Sequence, residues 1–256
     1  MFIQEISIDI RTKANGDEII EEFDLLMSFY RGNGQTQGKI ESQYINEDDK
    51  IVCLPFTLEE KSLDKKYNNF YVERQTKKVE ELCNSKLNFK IVGKTFPSYQ
   101  GTCNCEKSNF YILITNYLTI SSPLTCGNCD KPIPLYKLPK YTDHSYIPIL
   151  GWETNYVSCD SLQMNCQVGE RWALNQMENF KSQLSKQGLK ICRTLEEKTE
   201  IPVYYYLHNY SKYRDEKLLQ QCPICNENWR LSKQLNGLYD FKCSNCHIIS
   251  TLPSKS

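Results

Sequence analysis

The first 95 residues have hydrophobic positions whose spacing changes in a regular order. Isoleucines alternate with polar residues over 6–10, which is typical of a strand with one buried face. Residues 17–30 and 68–86 have apolar residues at helical spacing instead. Three more alternating stretches, GKIESQYI, KIVCLPF and NFKIVGK, complete the order. The pattern predicts an α+β domain of the ferredoxin-like βαββαβ arrangement over residues 1–95.

RNA-recognition domains share this order of elements, so the third strand is a check on function. In those domains it carries a basic signature rich in glycine and aromatic residues. Here it reads KIVCLPFT, which has no such pattern. We therefore expect the fold without the RNA-stacking chemistry.

A helical segment is predicted over residues 145–200, with two apolar faces. These are Trp152, Tyr156, Cys159 and Cys166 on one face, and Ala173, Met177, Phe180 and Leu184 on the other. The pattern predicts Gly188 as the C-cap of the first of two helices. A helix-turn-helix also fits, but the second helix has no net charge, which favours core packing over phosphate contact. A strand, IPVYYYLHNY, and a charged linker, SKYRDEK, follow.

The composition of the chain indicates its compartment, and the compartment determines how the cysteines are interpreted. The 256-residue chain is 40% hydrophobic and 24% charged, as in soluble globular proteins. It has no apolar run of membrane-spanning length and no signal peptide, so we expect a cytoplasmic protein without membrane contact. A reducing compartment favours metal ligation over disulfides. Eight of the thirteen cysteines form close pairs; the other five are expected as buried core thiols: Cys53, Cys83, Cys159, Cys166 and Cys192.

The C-terminal pairs are Cys222 with Cys225 and Cys243 with Cys246, in the pattern C-x2-C-x17-C-x2-C of a four-cysteine zinc site. Between them, NWRLSKQ and LYDFKC flank Asn-Gly, a strong hairpin signal. With His247 the second pair also spells C-x-x-C-H, a haem c attachment signature. Without an export signal, and with a partner pair at zinc spacing, the stretch predicts a zinc ribbon and no haem.

A second zinc site is predicted from Cys103, Cys105, Cys126 and Cys129. C-x-C is a rarer knuckle than C-x2-C, and two unrelated, redox-active cysteine pairs are the alternative. The glycine of CGNC suits a tight knuckle turn, which favours the zinc site. Both predicted zinc sites are structural, because four thiolates leave no open position for a water.

Catalytic signatures are absent from the sequence. It contains no P-loop, no G-x-G-x-x-G, no G-x-S-x-G and no H-E-x-x-H. A nucleophile pair of Cys159 with His144 has no local signature in its support. We therefore expect a protein that is not an enzyme.

The C-terminal half resembles a family of uncharacterised bacterial proteins that contain a zinc ribbon and carry a nucleic-acid-binding label. The likeness lies in SPLTCGNCDKPIPLYKLP, CDSLQMNCQVGE, VYYYLHNY, CPICNENWRL and LYDFKCSNC, over residues 120–250. The resemblance implies zinc binding and no known activity. Four segments are predicted: 1–95 as the ferredoxin-like domain, 96–140 as a cysteine-cluster module, 141–215 as helices plus a strand, and 216–256 as the ribbon.

Charge bears on the partner. The chain has 31 basic and 31 acidic residues, and each zinc with four thiolates adds about −2, so two sites bring the protein to about −4. Nucleic-acid binding usually rests on a basic face. We therefore favour a protein partner, as for an immunity or inhibitor-type protein that neutralises a cognate toxin, and keep a nucleic-acid-binding ribbon as the alternative. Trp229, Arg230 and Lys242 are the candidate partner-binding residues, with packing of the hairpin as an equally good explanation for Trp229.

Overall fold

A computed structural model of the chain describes residues 1–12, 16–95, 101–142, 144–209 and 220–252. The chain divides into two compact units. The first consists of Met1–Thr102, Ile120–Ser122 and Ile133–Ile147; the second consists of Cys103–Thr119, Pro123–Pro132 and Pro148–Ser256. The predicted linker SKYRDEK and the boundary at 215 lie outside the described residues, and the four-segment division stays a prediction.

The first unit is built on a four-stranded antiparallel sheet with the predicted order of elements. These are β1 (Phe2–Asp9), α1 (Gly16–Gly32), β2 (Gln37–Ile45), β3 (Lys50–Thr57), α2 (Phe70–Cys83) and β4 (Asn88–Lys94). The strand order across the sheet is β2-β3-β1-β4. Both β1 neighbours are antiparallel to it, with Ile6 opposite Cys53 of β3 and Phe89 of β4. β2 and β4 are therefore the edges of this sheet.

The core of the first unit forms between one face of the sheet and the apolar faces of both helices. Ile6 and Ile8 of β1 are buried in one cluster with the helical residues. The predicted apolar face of α1 is confirmed, since its five members are all buried: Ile19, Phe23, Leu26, Met27 and Tyr30. α2 begins after Asn69, whose side chain accepts a hydrogen bond from the backbone N–H of Val72 and so caps the helix.

A six-stranded mixed sheet forms the second unit. Its strands are β5 (Tyr111–Leu113), β6 (Leu124–Cys126), β7 (Val203–Tyr206), β8 (Arg230–Leu235), β9 (Tyr239–Cys243) and β10 (Ile248–Ser250). The order is β6-β5-β7-β10-β9-β8, with β7 parallel to both of its neighbours. Strands that flank the two cysteine clusters thus belong to one continuous sheet. After β5 the side chain of Asn116 turns the chain, accepting hydrogen bonds from the N–H groups of Leu118 and Thr119.

Three helices occupy the predicted helical segment: α3 (Ile147–Asn165), α4 (Glu170–Glu178) and α5 (Gln183–Thr199). Gly188 is not a C-cap, because it lies inside α5, where a Cβ would overlap the ring of Tyr205. Its lack of a side chain lets the helix approach β7 closely. The prediction of a buried Cys166 is also wrong: this residue follows the last turn of α3, has φ 53° and is exposed. The other four unpaired cysteines are buried as predicted.

Within the described ranges, no helix is long and apolar enough to cross a membrane.

Candidate metal centres

The first cysteine cluster joins two chain segments of the second unit. Cys103 and Cys105 precede β5, whereas Cys126 ends β6 and Cys129 follows it. The four Sγ atoms lie within 4.8 Å of one another, and those of Cys105 and Cys126 are 4.0 Å apart. Four thiolates around a tetrahedral zinc are about 3.8 Å apart, given zinc–sulfur bonds of about 2.3 Å. The cluster therefore has the ligand type and spacing that a zinc ion requires, as the sequence predicts.

The second cluster brings Cys222, Cys225, Cys243 and Cys246 together. Its Sγ atoms also lie within 4.8 Å of one another, with those of Cys225 and Cys243 3.6 Å apart. The hairpin between the pairs has the predicted turn: Asn236 and Gly237 have φ of 54° and 69°, as a type I′ turn requires. Both four-cysteine groups are thus compatible with zinc binding.

The three C-x-x-C knuckles end in the same backbone conformation. The residue after each second cysteine has a positive φ: 56° at Asp130, 62° at Asn226 and 51° at His247. Asn, Asp and His are the side chains that tolerate this left-handed conformation best after glycine. His247 therefore completes C-x-x-C-H because it occupies the left-handed position of a knuckle, which accounts for the haem-like signature.

The first two of these knuckles also share a hydrogen bond across the turn. The backbone N–H of Cys126 donates to the carbonyl of Lys131 at 2.9 Å, and that of Cys222 donates to the carbonyl of Glu227 at 2.7 Å. In the third knuckle, Cys243 pairs in register with Ile248. Each knuckle therefore joins its first cysteine to the residue five positions later, although one belongs to the first cluster and two to the second.

His247 also connects its knuckle to α5 and β7 of the second unit. Its Nδ1 lies 2.7 Å from a carboxylate oxygen of Glu196 on α5, and its backbone carbonyl accepts the N–H of Tyr205 at 2.8 Å. The imidazole lies beside the ring of Tyr204, with centroids 5.1 Å apart. The His247 side chain thus lies next to the second cluster and fixes the position of its knuckle against α5 and β7.

Gly127 is needed in the first cluster for close packing rather than for a positive φ, which corrects the reason predicted for it. Its N–H donates to the carbonyl of Phe110 at 2.9 Å, and a Cβ there would overlap the Phe110 ring. Beside it, the hydroxyl of Ser108 lies 3.1 Å from Sγ of Cys126. Such contacts orient metal ligands from outside the coordination shell.

The two clusters are joined by the tip of the C-terminal hairpin. Asn236 Nδ2 donates to the carbonyl of Gly127 at 3.0 Å, and the Tyr239 hydroxyl donates to Oδ1 of Asp130 at 3.2 Å. Burial raises the pKa of Asp130, and the Tyr239 hydrogen bond opposes that shift. The hairpin that carries the second cysteine cluster thus contacts the knuckle of the first cluster, a contact that no sequence pattern signals.

The thiols within each cluster differ in their pKa values. At Cys126 burial opposes ionisation, yet hydrogen bonds from Ser108 and from the backbone N–H of Asn128 lower the pKa to about 7. At Cys129 burial and the neighbouring thiols raise the pKa to about 12. In the second cluster burial raises the pKa of Cys222 to about 11, while the backbone N–H of Glu227 lowers that of Cys225. Metal binding at either cluster must therefore release protons.

The candidate partner-binding residues occupy different environments. Trp229 is 6% exposed and stacks on Phe241 with ring centroids 5.0 Å apart, so packing accounts for it. Arg230 is exposed at the start of β8. The Lys242 ammonium lies over the rings of Phe110 and Tyr204, 3.7 and 4.5 Å from their centroids. Burial lowers the pKa of Lys242. A partner-binding role for the three stays a prediction.

The residues of the suggested nucleophile pair have other neighbours. His144 lies beside the rings of Phe70 and Tyr71, with centroids 6.4 and 6.2 Å away. Burial raises the pKa of the Cys159 thiol, and the negative charge of Asp160 raises it further. A reactive thiol needs a lowered pKa instead.

Comparison with known proteins gives matches along most of the chain. Residues 1–93, 105–208 and 212–255 match three families, each described as a domain of unknown function: DUF8589, DUF2310 and DUF8594 respectively. An uncharacterized protein of Haemophilus influenzae is 33% identical over 232 residues, which cover 87% of each chain. A second uncharacterized protein of that organism is 34% identical over 165 residues, covering 64% of this chain and 81% of its own. No solved structure matches the chain.

These descriptions give no activity and do not carry the nucleic-acid-binding label that the resemblance suggested. The identity of 33% extends over 87% of each chain. This chain contains two four-cysteine groups. The chain therefore belongs to the same uncharacterised family as these Haemophilus influenzae proteins.

Proposed function

We propose that the protein is a zinc-binding protein whose two zinc ions are structural. Two observations support this: each four-cysteine group has the spacing of a tetrahedral site, and the three C-x-x-C knuckles share one backbone geometry. A zinc ion in each would join segments next to short strands such as β5, β6 and β10, of three residues each. Structural zinc contributes directly to the folding free energy in such small elements.

The same ligand sets support a non-catalytic role for both metals. Four thiolates complete the zinc coordination and leave no position for water or substrate. The ions would supply charge neutralisation and cross-linking, while the cysteines, Ser108 and the backbone N–H groups would hold the geometry. Activity in this protein would therefore come from its surface.

For the first unit, the finer fold assignment is also part of this proposal. We assign residues 1–95 to the ferredoxin-like arrangement on two grounds: the element order βαββαβ and the antiparallel strand order β2-β3-β1-β4.

A protein is the partner that the surface favours. Trp229 and Lys242, which a nucleic-acid-binding ribbon would present to its ligand, are packed against aromatic rings instead. Basic and acidic residues are equal in number. Large aromatic side chains are exposed elsewhere, with Trp172 58% and Phe70 57% accessible. Aromatic anchors of this kind are enriched in protein interfaces. Neutralisation of a cognate toxin is the narrower form of this proposal.

Paired binding experiments test the choice of partner. We expect affinity purification from the native cell to recover a protein that rebinds the pure chain at submicromolar concentration. We expect only weak, salt-sensitive filter binding to duplex DNA, single-stranded DNA and RNA at about physiological salt. Submicromolar nucleic-acid binding that is lost in Arg230→Ala, with no protein recovered, would favour the nucleic-acid alternative. Suppression of a recovered partner's toxicity would support the narrower form.

A further inference from the structure

The edge strand β4 exposes apolar side chains as well as one side of its backbone. Among the described residues, β4 pairs with β1 only, so its other backbone edge is open to a further strand. Phe89, Ile91 and Val92 are 41%, 45% and 53% exposed. An exposed apolar edge strand is the element to which an extended segment from another chain can add.

A groove runs beside this edge, between β4 and α2, with a volume of about 740 Å³. Its apolar side includes Tyr30, Leu63, Leu87, Phe89 and Ile91. The ring of Phe89 meets that of Tyr30 edge-on, with centroids 6.5 Å apart, which holds Phe89 at the groove. Residues of α2, among them Thr76 and Glu80, form the opposite wall. The groove can therefore receive alternate side chains of a strand added to β4.

The apolar residues of β4 define one face of such a strand. Phe89 and Ile91 pair with the buried Ile6 and Gln4 of β1, so they share the helix-bearing face of the sheet. Cross-strand pairs on this face favour apolar residues in the added segment.

Two lysines of β4 define the charge that the segment needs. Lys90 is the register partner of Glu5 of β1, one position out of step with Phe89 and Ile91 along the strand, and it lies at the rim of the groove. Lys94 follows a register shift in the pairing of β4 with β1; its ammonium lies over the Phe2 ring and 4.0 Å from a carboxylate oxygen of Glu60, and both side chains of this ion pair are exposed. No acidic residue occurs in β4. Acidic residues in the segment are therefore favoured opposite Lys90 and at the end next to Lys94.

We propose that β4 is a docking edge for an extended protein segment in which β-branched or other apolar residues alternate with acidic residues. The segment adds as a fifth strand, places its apolar side chains in the groove beside α2, and brings carboxylates to Lys90 and Lys94. This inference rests on the proposed protein-binding function and names its surface. Self-association through β4 is disfavoured, because it brings the basic edges of two copies together.

A titration with synthetic peptides tests the docking edge. The probes are a nonapeptide of alternating valine and glutamate and its valine–lysine counterpart, added to the zinc-loaded protein. We expect amide NMR shifts concentrated in β4 and binding of the glutamate peptide about tenfold tighter, from the changed charge pairs at two lysines. Equal binding of both peptides, or no shift in the β4 amides, would overturn the proposal. Shifts that depend on protein concentration alone would assign the edge to a second copy and overturn it as well.

Variants provide a matched control. Ile91→Lys should weaken binding of the glutamate peptide at least about tenfold. Ile45→Lys, on the opposite edge strand β2 and equally exposed (46% against 45%), should leave it unchanged. The double variant Lys90→Glu/Lys94→Glu should reverse the peptide preference. Equal effects of Ile91→Lys and Ile45→Lys would contradict a specific role for β4.

The cellular partner separates this inference from the proposed function. A partner that binds the Ile91→Lys variant normally would reject the β4 surface and leave protein binding intact. Failure to recover any protein, together with tight nucleic-acid binding, would reject the proposed function itself.

Discussion

Tyr239 donates a hydrogen bond from its hydroxyl to Oδ1 of Asp130, 3.2 Å away. Tyr239 begins the strand that leads to the second cysteine cluster, and Asp130 directly follows the last cysteine of the first. The two candidate zinc sites are therefore mechanically connected within one sheet. A protein with independent metal modules would not need such a contact.

Tyr239→Phe should loosen the first metal site although the mutated residue lies on the hairpin of the second. The loss of this partly buried hydrogen bond costs about 1 kcal/mol, and Asp130 keeps an unpaired carboxylate. We expect faster zinc release from the first cluster to a chromogenic chelator. Tyr206→Phe is the control, since its hydroxyl contacts Thr251 at 3.2 Å in the same sheet. Equal zinc release in both variants would contradict the coupling.

Gly127→Ala should destabilise the second unit by about 1–3 kcal/mol, because the new methyl group overlaps the Phe110 ring. Gly151→Ala is the matched control: it lies in α3 with no atom near its missing Cβ, and should be neutral or stabilising by roughly 0.4–1 kcal/mol. Urea unfolding followed by tryptophan fluorescence measures both. Stabilities that change by the same amount would argue against close packing at Gly127.

His247→Asn should retain the full zinc content, because asparagine also accepts the left-handed conformation and the four-cysteine group does not include His247. His247→Val should instead lower stability by about 1–2 kcal/mol, since a β-branched residue is strained there. Zinc content and thermal unfolding separate the two effects. Loss of one zinc in the asparagine variant would make His247 a ligand and contradict the four-cysteine site.

Acid should weaken the first unit through Glu59. Burial raises the pKa of this carboxyl, but hydrogen bonds from Lys137, Thr102 and Tyr136 outweigh burial and lower it below the ordinary value of 4.5. A lowered carboxyl pKa contributes stability that is full above the unfolded pKa and is lost as pH falls through the folded one. We expect Glu59→Gln to flatten the pH dependence of unfolding below about pH 4.5. NMR signals of Ile6 and Val79 report on this unit; an unchanged profile would contradict the assignment.

The local parts of this architecture could be predicted from the sequence. Both four-cysteine groups follow from cysteine spacing, and the elements of the first unit follow from the apolar periodicity of residues such as Ile6, Phe23 and Val79. These signals span a few residues or one element, where backbone geometry alone determines which side chains share a face.

The single sheet of the second unit could not be predicted in the same way. β5 and β10 are three residues long and pair with β7 over sequence separations of about 90 and about 40 residues, so they carry too few positions to show a period. Gly188 resembles a C-cap in the sequence, yet its role depends on Tyr205 from another element. The sequence leaves Trp229 open between an exposed anchor and hairpin packing, and only the position of Phe241 against it decides for packing.

Metal analysis of the purified protein tests the central claim, that two structural zinc ions are held within one sheet. We predict two zinc ions per chain by elemental analysis, one in Cys126→Ser and one in Cys243→Ser, with no Soret band. One zinc per chain in the unaltered protein, retained in Cys126→Ser and lost in Cys243→Ser, would reject the first cluster as a metal site. No zinc at all, or bound haem, would contradict the account as a whole.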